Sequence, residues 1–439
     1  MRLSAAYAFP TGRNHSRATA PDRGVYSALT ASREALPGKT TSQVDQDDSL
    51  SRVRTTDPLR IFVISAPGLE QILTSEIQNL GIGNAEPVEG GVSLTGTLEQ
   101  LYELNLHLRT ASRVIVRVAE FHASSFYELE RRARRINWNE YLHPGARARF
   151  RVTCRKSRLY HSDAVAERFA ESVAQQVPGV SVSHAPAEPS DSADGDEADD
   201  GPAQLFIVRL AHDNCVVSLD SSGELLHRRG YRQATGKAPL RETIAAAMVI
   251  GSGWDSSAPM IDPLCGSGTI AIEAALIARR IQPGLNRAFA FQEWPSYDSV
   301  KWESNVAKSR DQIRPAASVI MASDRDAGAI ESARANAERA GVSENVQLNV
   351  RAISAVDFPP APGWIVTNPP YGVRVGERQT LRNLYAQLGK TIRSRARGYT
   401  VAFLSADTML ESALEIPLVE VFRARNGGIP VRLLKGSAA

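Results

Sequence analysis

The alternation of apolar and polar residues predicts short strands and helices from about Leu59 onward. Two-residue alternation predicts strands over 59–65, 90–95 and 112–119. Apolar residues at three- and four-residue spacing predict helices over 69–80 and 98–108. Strand–helix–strand–helix–strand indicates a small α+β unit of the ferredoxin-like type.

Two further units follow this pattern. The second predicts a strand over 148–154, a helix over 163–177 and a hairpin over 205–210 and 215–219. The stretch 184–204 is rich in Asp, Glu, Ser, Ala and Pro, which is typical of a solvated loop. The third predicts strands over 260–262, 317–323, 346–350, 364–367 and 400–404, alternating with helices over 269–281, 327–340 and 381–393. This alternation predicts an α/β fold with a doubly wound parallel sheet.

The predicted domain bounds are therefore 58–120, 121–225 and 226–439, preceded by an extension over 1–57. The extension is rich in Ser, Thr and Arg and lacks hydrophobic periodicity, which predicts disorder. An organelle-targeting peptide and a misassigned start are the alternatives, because such peptides are also rich in Arg and poor in acids.

Composition narrows the class of protein. Hydrophobic residues make up 43% and charged residues 23% of the chain, as in globular proteins with real cores. No apolar run approaches the ~18 residues that a membrane helix needs, so no membrane partner is expected. The three cysteines are far apart, so neither a metal site nor a disulfide framework is predicted. A reducing, cytoplasmic location follows from this cysteine usage.

A glycine-rich turn joins a strand to a helix in Asp262-Pro-Leu-Cys-Gly-Ser-Gly-Thr-Ile-Ala271. Glycines let a ligand approach the backbone, and the helix start offers free N–H groups. The spacing also fits a dinucleotide site, which expects an acid about 20 residues further on. Asp324, which ends the next strand, lies 56 residues after Gly268. S-adenosylmethionine is therefore the preferred cofactor.

The acids at the two strand ends suit different parts of this cofactor. Asp262 suits the ammonium group of the methionine moiety, and Asp324 or Asp326 suits the ribose hydroxyls. The segment Ser323-Asp-Arg-Asp326 is equally typical of a helix N-cap. The predicted cofactor-binding residues are Asp262, Pro263, Cys265, Gly266, Ser267, Gly268, Thr269, Asp324 and Asp326.

A second motif, Asn368-Pro-Pro-Tyr371, directly follows the fourth predicted strand of the third unit. Two prolines stiffen the turn and leave carbonyl oxygens and the asparagine oxygen as acceptors. Such acceptors can hold the hydrogens of an exocyclic base amine, whose nitrogen can then attack a methyl group in line. Tyr371 can stack on the base. The predicted catalytic residues are Asn368, Pro369, Pro370 and Tyr371. Cys265 could serve C5-pyrimidine methylation as a nucleophile, but its place in the glycine-rich turn favours the interpretation that it is a small packing residue.

Basic residues cluster in the N-terminal half and at the start of the third unit. Such clusters neutralise RNA phosphates, although solvated surface charge is the simpler alternative. The predicted RNA-binding residues are Arg147, Arg149, Arg151, Arg155, Lys156, Arg158, Arg228, Arg229 and Arg232.

Together these motifs resemble the THUMP-domain RNA guanine-N2 methyltransferases, most closely the bacterial 23S rRNA enzymes. The stretches that carry the resemblance are Ser65-Ala-Pro-Gly-Leu-Glu70, Leu108–Arg113, Cys154–His161, Leu219–Gly223, Leu226–Arg232, Ala238–Thr243, Asp262–Thr269, Asn368–Arg374 and Asn426-Gly427. The resemblance implies a ferredoxin-like domain, a THUMP RNA-binding domain and a class I methyltransferase domain. It also implies that Asp262, Gly266, Gly268 and Asp324 line the cofactor site.

The resemblance further implies that Asn368, Pro369 and Tyr371 hold the target base, and that Ala238–Thr243 lies beside the methionine end. One position departs from the family, which commonly has an acid near the adenine where this chain has Ala352. Ser354 and Asp357 are the alternatives for that contact.

The leading hypothesis is direct in-line methylation of guanine N2 in 23S rRNA. The same reaction on tRNA, N6-adenine methylation of RNA or DNA, and methylation of a protein glutamine are the enzymatic alternatives. A non-catalytic RNA-binding assembly factor and a dinucleotide-dependent dehydrogenase are the alternatives from other classes. The sequence predicts no oligomeric state.

Overall fold

The computed structural model of the chain describes residues 58–185, 203–232, 240–371 and 378–438. The predicted extension over residues 1–57 and most of the predicted acidic loop lie outside these ranges. The described residues form two sheets, one in each half of the chain, with helices packed against both.

The N-terminal sheet contains eight described strands. They are β1 (Leu59–Ser65), β2 (Glu86–Val88), β3 (Gly91–Gly96), β4 (Ala111–His122), β5 (Arg147–Arg155), β6 (Ser181–Ala185), β7 (Gln204–Ala211) and β8 (Asn214–Asp220). Their order is β2-β3-β1-β4-β8-β7-β5-β6. The helices of this half are α1 (Glu70–Asn79), α2 (Leu98–His107), α3 (Phe126–Ala133) and α4 (Ser162–Gln176).

The strands and helices predicted for this half are confirmed. Three further elements were not predicted, because their sequences lack a clear hydrophobic period. All three residues of β2 are exposed, so the strand shows no alternation. Helix α3 buries only Leu129 and Ala133. Strand β6 is mostly exposed and pairs with the edge of β5, so His184 and Ala185 belong to a strand and not to the predicted loop.

The long strand β4 joins the first two predicted units in one sheet. Val116 on β4 pairs with Ile61 on β1 and with Leu219 on β8. The sheet is therefore continuous across the predicted boundary between residues 120 and 121.

The C-terminal sheet contains seven described strands. They are β9 (Met260–Asp262), β10 (Ile320–Asp324), β11 (Val346–Val350), β12 (Gly363–Thr367), β13 (Tyr399–Ser405), β14 (Leu418–Asn426) and β15 (Ile429–Ser437). The helices are α5 (Glu242–Ser252), α6 (Thr269–Ala278), α7 (Ser299–Asp311), α8 (Ala327–Arg339), α9 (Arg378–Arg395) and α10 (Thr408–Ser412). The alternation of these strands and helices gives the C-terminal half a Rossmann-like fold, as predicted.

The strand order β11-β10-β9-β12-β13-β15-β14 places the first strand of this half in the middle of the sheet. Strands β9 to β13 are parallel, and the hairpin β14–β15 adds two antiparallel strands that the sequence did not predict. The order reverses at β9, which lies between β10 and β12. Ligands of open α/β sheets bind at the carboxyl ends of the strands at such a point.

Polar contacts, one of them fully buried, join the two halves. The indole nitrogen of Trp294 donates to the Gln204 side-chain oxygen at 2.8 Å. The Asp298 N–H donates to the Tyr102 hydroxyl at 2.9 Å, where α2 packs against α7. These contacts hold the N-terminal half against the segment between α6 and β10, which contains α7.

Candidate active site

The glycine-rich turn begins where β9 ends and leads directly into α6. Gly266 and Gly268 have φ angles of +51° and +82°, in the left-handed region that favours glycine. A Cβ on Gly268 would lie 3.0 Å from the Cβ of Ala333 on α8, whereas a Cβ on Gly266 would meet nothing within 4 Å. Gly268 therefore allows close helix packing, and Gly266 faces open space at the sheet edge.

Asp262, the last residue of β9, is fully buried. Its Oδ1 accepts hydrogen bonds from the Thr367 hydroxyl at 2.6 Å and from the Leu264 N–H at 3.3 Å, whereas its Oδ2 has no partner. Burial raises the pKa of this carboxyl to about 7, with a smaller increase from the charge of Asp324. The hydrogen bond from Thr367 partly offsets that increase. The unpartnered oxygen can therefore accept from a cationic group.

Asp324 and Asp326 have different roles in the structure. Asp324 Oδ2 accepts from the Gly266 N–H at 3.1 Å, which ties the end of β10 to the glycine-rich turn. Asp326 caps α8, because its Oδ1 accepts from the N–H groups of Gly328 and Ala329 at 2.8 and 3.3 Å. The helix-capping interpretation therefore accounts for Asp326, and Asp324 is the acid beside the turn.

The other predicted cofactor-binding residues lie in or beside the glycine-rich turn. Pro263 and Thr269 are buried, and the Ser267 carbonyl accepts from the Asn336 side chain at 3.0 Å. Burial and the two nearby carboxylates raise the pKa of the Cys265 thiol. A thiol that stays protonated is a poor nucleophile, so the packing interpretation of Cys265 fits the structure.

The motif Asn368-Pro-Pro-Tyr371 begins directly after β12, which pairs with β9. Asn368 Oδ1 is buried and has no hydrogen-bond partner. Pro369 is buried and Pro370 is exposed. Tyr371 is half-buried, and its hydroxyl accepts from Asn426 Nδ2 at 3.0 Å. Residues 372–374 of this stretch lie outside the described ranges.

Thr367 and Asn426 are the two site residues that the motif analysis did not select. Thr367 ends β12 and bonds Asp262, so it links the second motif to the first. Neighbouring strand ends in the predicted sheet were the available signal for Thr367. Asn426 appeared only within a family resemblance, and its contact with Tyr371 depends on the unpredicted hairpin.

The segment after β11, where the resemblance predicts the adenine contact, contains an arginine–aspartate ion pair. The Arg351 side chain forms an ion pair with Asp357, and the backbone N–H of Arg351 donates to the Asp324 carbonyl at 2.8 Å. Ala352 and Ser354 are exposed beside this pair.

Of the stretch Ala238–Thr243, the structure describes residues 240–243, and Glu242 accepts from Arg232 at 3.1 and 3.2 Å.

Three of the predicted RNA-binding arginines are buried, so the prediction is wrong for them. Arg229 is 2% exposed and pairs with Glu273, and Arg232 is 8% exposed and pairs with Glu242. Arg151 is buried within the N-terminal sheet. Charge in the sequence cannot distinguish a solvated arginine from one paired with a carboxylate in the interior.

The remaining predicted RNA-binding residues reach solvent to different degrees. Arg147, Arg155 and Lys156 are exposed, and the Arg158 side chain is 77% exposed. Arg149 is half-buried. Arg228 is one-third exposed and lies 3.8 Å from the Glu224 carboxylate.

The buried pair Arg229–Glu273 should contribute strongly to stability. Glu273 also accepts from the Tyr231 hydroxyl at 2.9 Å, and Arg229 donates to the Arg109 carbonyl. Replacing Glu273 with Leu leaves a buried, unpaired guanidinium, so we expect a loss of about 3–5 kcal/mol in the free energy of unfolding. Urea denaturation followed by tryptophan fluorescence measures this loss.

The matched control is Glu171→Leu, which removes an exposed ion pair with Arg168. Exposed pairs contribute only about 0–1 kcal/mol, so this variant should unfold almost like the wild type. Similar losses in the two variants would contradict the importance given to the buried pair.

The described residues contain no helix with the length and apolar composition that a membrane span requires. No group of three or more His, Cys, Asp or Glu side chains among them is arranged to hold a metal ion.

The parallel sheet, the glycine-rich turn and the acid at the end of β10 define a Rossmann-like methyltransferase. Residues 229–435 match the family described as "RMKL-like, methyltransferase domain", and residues 60–115 match "RlmL ferredoxin-like domain". A Synechocystis sp. protein named "Putative RNA methyltransferase slr0064" is 33% identical over 387 residues, which cover 87% of this chain and 97% of the relative. The chain belongs to the RlmL-like methyltransferase family, as the resemblance predicted.

Two solved structures are similar over nearly the whole described chain. SMU.472, described as "a putative methyltransferase complexed with SAH", has a TM-score of 0.76 at 28% identity and covers 88% of this chain and 99% of its own. A protein from Listeria monocytogenes, described as "a predicted N6-adenine-specific DNA methylase", has a TM-score of 0.74 at 28% identity, with coverages of 86% and 96%. The chain is thus an S-adenosylmethionine-dependent methyltransferase.

Proposed function

We propose that this enzyme methylates the exocyclic N2 of a guanine in 23S rRNA by direct in-line transfer. The observation that carries the proposal is the buried, unpartnered Oδ1 of Asn368 at the same sheet edge as Asp262. An acceptor in this position can take a hydrogen bond from an exocyclic amine. Burial of an unpaired acceptor is costly unless a ligand supplies the donor.

The residues at the end of β9 and β10 suit S-adenosylmethionine. Asp262 Oδ2 is a buried acceptor that lacks a donor, and an ammonium group would supply one. Gly266 leaves open space beside the turn, and Asp324 holds the turn in place by accepting from the Gly266 N–H. When bound, S-adenosylmethionine supplies an electrophilic methyl group. We propose that Asp262, Gly266, Gly268 and Asp324 hold it, whereas Asp326 caps a helix.

The second motif would prepare the target nitrogen. The lone pair of an amine conjugated to a base ring is delocalised, so the amine is a poor nucleophile. Asn368 Oδ1 and the backbone carbonyl of Pro369 can accept its two hydrogens and favour a pyramidal nitrogen. Tyr371 can stack on the base, a contact worth about 1–3 kcal/mol. No cysteine nucleophile is needed for this reaction.

The N-terminal half would bind the RNA around the modified base. We retain 58–120 as the ferredoxin-like domain, 121–225 as a THUMP domain and 226–439 as the methyltransferase domain. The name of the Synechocystis relative, an RNA methyltransferase, supports an RNA substrate. The cations that remain candidates for phosphate contacts are Arg147, Arg149, Arg155, Lys156, Arg158 and Arg228.

Charge reversal tests this RNA surface. The double variant Lys156→Glu/Arg158→Glu should weaken RNA binding by at least about tenfold, because two exposed phosphate contacts are lost. The slope of log K against log salt should fall by about 1.5 for the same reason. Fluorescence anisotropy with labelled rRNA fragments at several salt concentrations measures both quantities.

The matched control reverses two exposed cations of the C-terminal half, in Lys390→Glu/Arg397→Glu. This control should keep the RNA affinity within about threefold, and both variants should bind S-adenosylmethionine normally. Equal losses of RNA affinity in the two double variants would show that Lys156 and Arg158 do not form a specific RNA-binding surface.

Identification of the product tests the proposed reaction. The purified protein is incubated with methyl-labelled S-adenosylmethionine and, separately, with protein-free 23S rRNA and bulk tRNA, and labelled nucleosides are identified after digestion. N2-methylguanosine from rRNA is the expected product. The same nucleoside from tRNA alone would replace the substrate but keep the chemistry.

N6-methylation of adenine is the second candidate function, and the similarity to the Listeria protein favours it. The acceptors of Asn368 and Pro369 suit any amine conjugated to a base ring. Appearance of N6-methyladenosine in the same digest would support this candidate against guanine. Absence of label from both RNAs, with cofactor binding intact, would contradict both functions on free RNA.

A further inference from the structure

Asn426 is a buried asparagine next to the catalytic motif, and neither the motif nor the cofactor chemistry accounts for it. It is 4% exposed, and its Nδ2 donates to the Tyr371 hydroxyl at 3.0 Å. Its Oδ1 is buried without a partner, as is the Oδ1 of Asn368. The motif and the asparagine that contacts it therefore each contain a buried amide oxygen without a donor.

The segment that carries Asn426 is rigidly held on the sheet. Asn426 is the last residue of β14 and pairs with Ile429 on β15. Gly427 and Gly428, with φ angles of +56° and +82°, form the turn between them. Strand β15 pairs in turn with β13, which lies beside β12. The backbone of Asn426 is thus built onto the same sheet that ends in the catalytic motif.

Strand β14, which carries Asn426, also contacts the N-terminal half at Gly68. A Cβ on Gly68 would lie 1.8 Å from the Arg423 carbonyl oxygen, and its φ is +93°. The Gly68 N–H donates to Glu70 Oε2 at 2.7 Å, which shapes the loop for this contact. Only glycine allows this approach. Gly68, which the proposed chemistry does not use, therefore allows the loop before α1 to pack closely against β14.

We propose that Asn426 is a positioning residue, which orients the Tyr371 ring so that it stacks on the target base. Because the asparagine hydrogen bond holds the end of the ring, the ring face keeps one orientation. The inference rests on the proposed function and deepens it, since it adds Asn426 to the residues that hold the target base. It does not depend on whether the base is guanine or adenine.

The consequence for activity can be separated from stability. Asn426→Ala and Tyr371→Phe remove the same hydrogen bond from opposite ends. Each should lower kcat/KM for RNA by about tenfold, the value for one buried hydrogen bond. The double variant should lose no more than either single variant, because the bond can be lost only once. The dissociation constant for S-adenosylmethionine should change less than twofold.

Val419→Ala is the matched control, because Val419 lies on β14 but is exposed. This variant should keep wild-type kcat/KM and thermal stability. Wild-type kcat/KM in Asn426→Ala, or losses that multiply in the double variant, would overturn the proposal. If Asn426→Ala does not fold, wild-type kcat/KM in Tyr371→Phe would overturn it equally well.

A spectroscopic readout tests Asn426 without relying on turnover. In protein with ζ-carbon-labelled tyrosine, the Tyr371 resonance is the one missing from Tyr371→Phe. Loss of the hydrogen bond in Asn426→Ala should shift this resonance, and an unchanged resonance would contradict the proposal. Absence of RNA methylation by the wild type would instead contradict the proposed function, so the two failures are distinguishable.

Discussion

Asn368→Ala should lose about a hundredfold to a thousandfold in kcat while its dissociation constant for S-adenosylmethionine stays within about threefold. Asn368 Oδ1 is the buried acceptor without a partner that would hold the target amine. Removing a preorganised group of this kind from a dry site commonly costs factors of about 10²–10³. Single-turnover methyl transfer and calorimetric titration of the cofactor measure the two quantities separately.

Two further variants sharpen this test. Asn368→Asp keeps an acceptor oxygen and should retain more activity than the alanine variant. Asn383→Ala removes an exposed asparagine from α9 and should behave like the wild type. A kcat above about one-tenth of the wild-type value in Asn368→Ala would show that this side chain does not hold the reacting amine.

The affinity for S-adenosylmethionine should increase about eightfold from pH 6.0 to pH 7.5. The pKa of Asp262 is about 7, so the ionised fraction of this carboxyl increases by that factor. Only the ionised form can pair with an ammonium group. Calorimetric titration in buffers of different ionisation enthalpy should show proton release on binding at pH 6.0 and much less at pH 7.5.

Asp262→Asn is the control for the pH dependence. It should bind the cofactor at least tenfold more weakly at pH 7.5, with little change between the two pH values. The raised pKa also predicts the effect on stability. An acid whose folded-state pKa lies above its unfolded value destabilises the fold as pH rises from about 4 to 7. The cofactor-free wild type should therefore melt below Asp262→Asn at pH 8, and equal pH profiles would contradict the assignment.

The sequence predicted much of the fold because the relevant signals are local. Strands β9 to β13 and helices α6, α8 and α9 follow hydrophobic periods within each segment. The hairpin β14–β15 was not predicted. In the first half of β14, Leu418–Val421, apolar residues occupy exposed positions, so the sequence does not alternate between buried apolar and exposed polar residues. Strand β10 begins three residues later than predicted, where Val319 is exposed and Ile320 is buried.

Pairing over long distances explains why buried arginines were predicted to bind RNA. Arg229 looks like a surface cation until Glu273, 44 residues further on, is placed against it. Asp326 differs, because its contacts with the N–H groups of Gly328 and Ala329 are local, and the sequence already offered the helix cap as an alternative. Burial and partner choice are properties of the folded chain, and a run of charges does not encode them.

By itself, the sequence determined the positions and the local geometry of the two motifs. The turn with Gly266 and Gly268 after Asp262, and the stretch Asn368-Pro-Pro-Tyr371, have backbone conformations that residue type and spacing specify. Tertiary structure alone decided the contacts of Asp262 with Thr367 and of Tyr371 with Asn426, since they join residues 105 and 55 positions apart. Sheet order and strand register set such contacts, and a single strand's pattern does not reveal its neighbours.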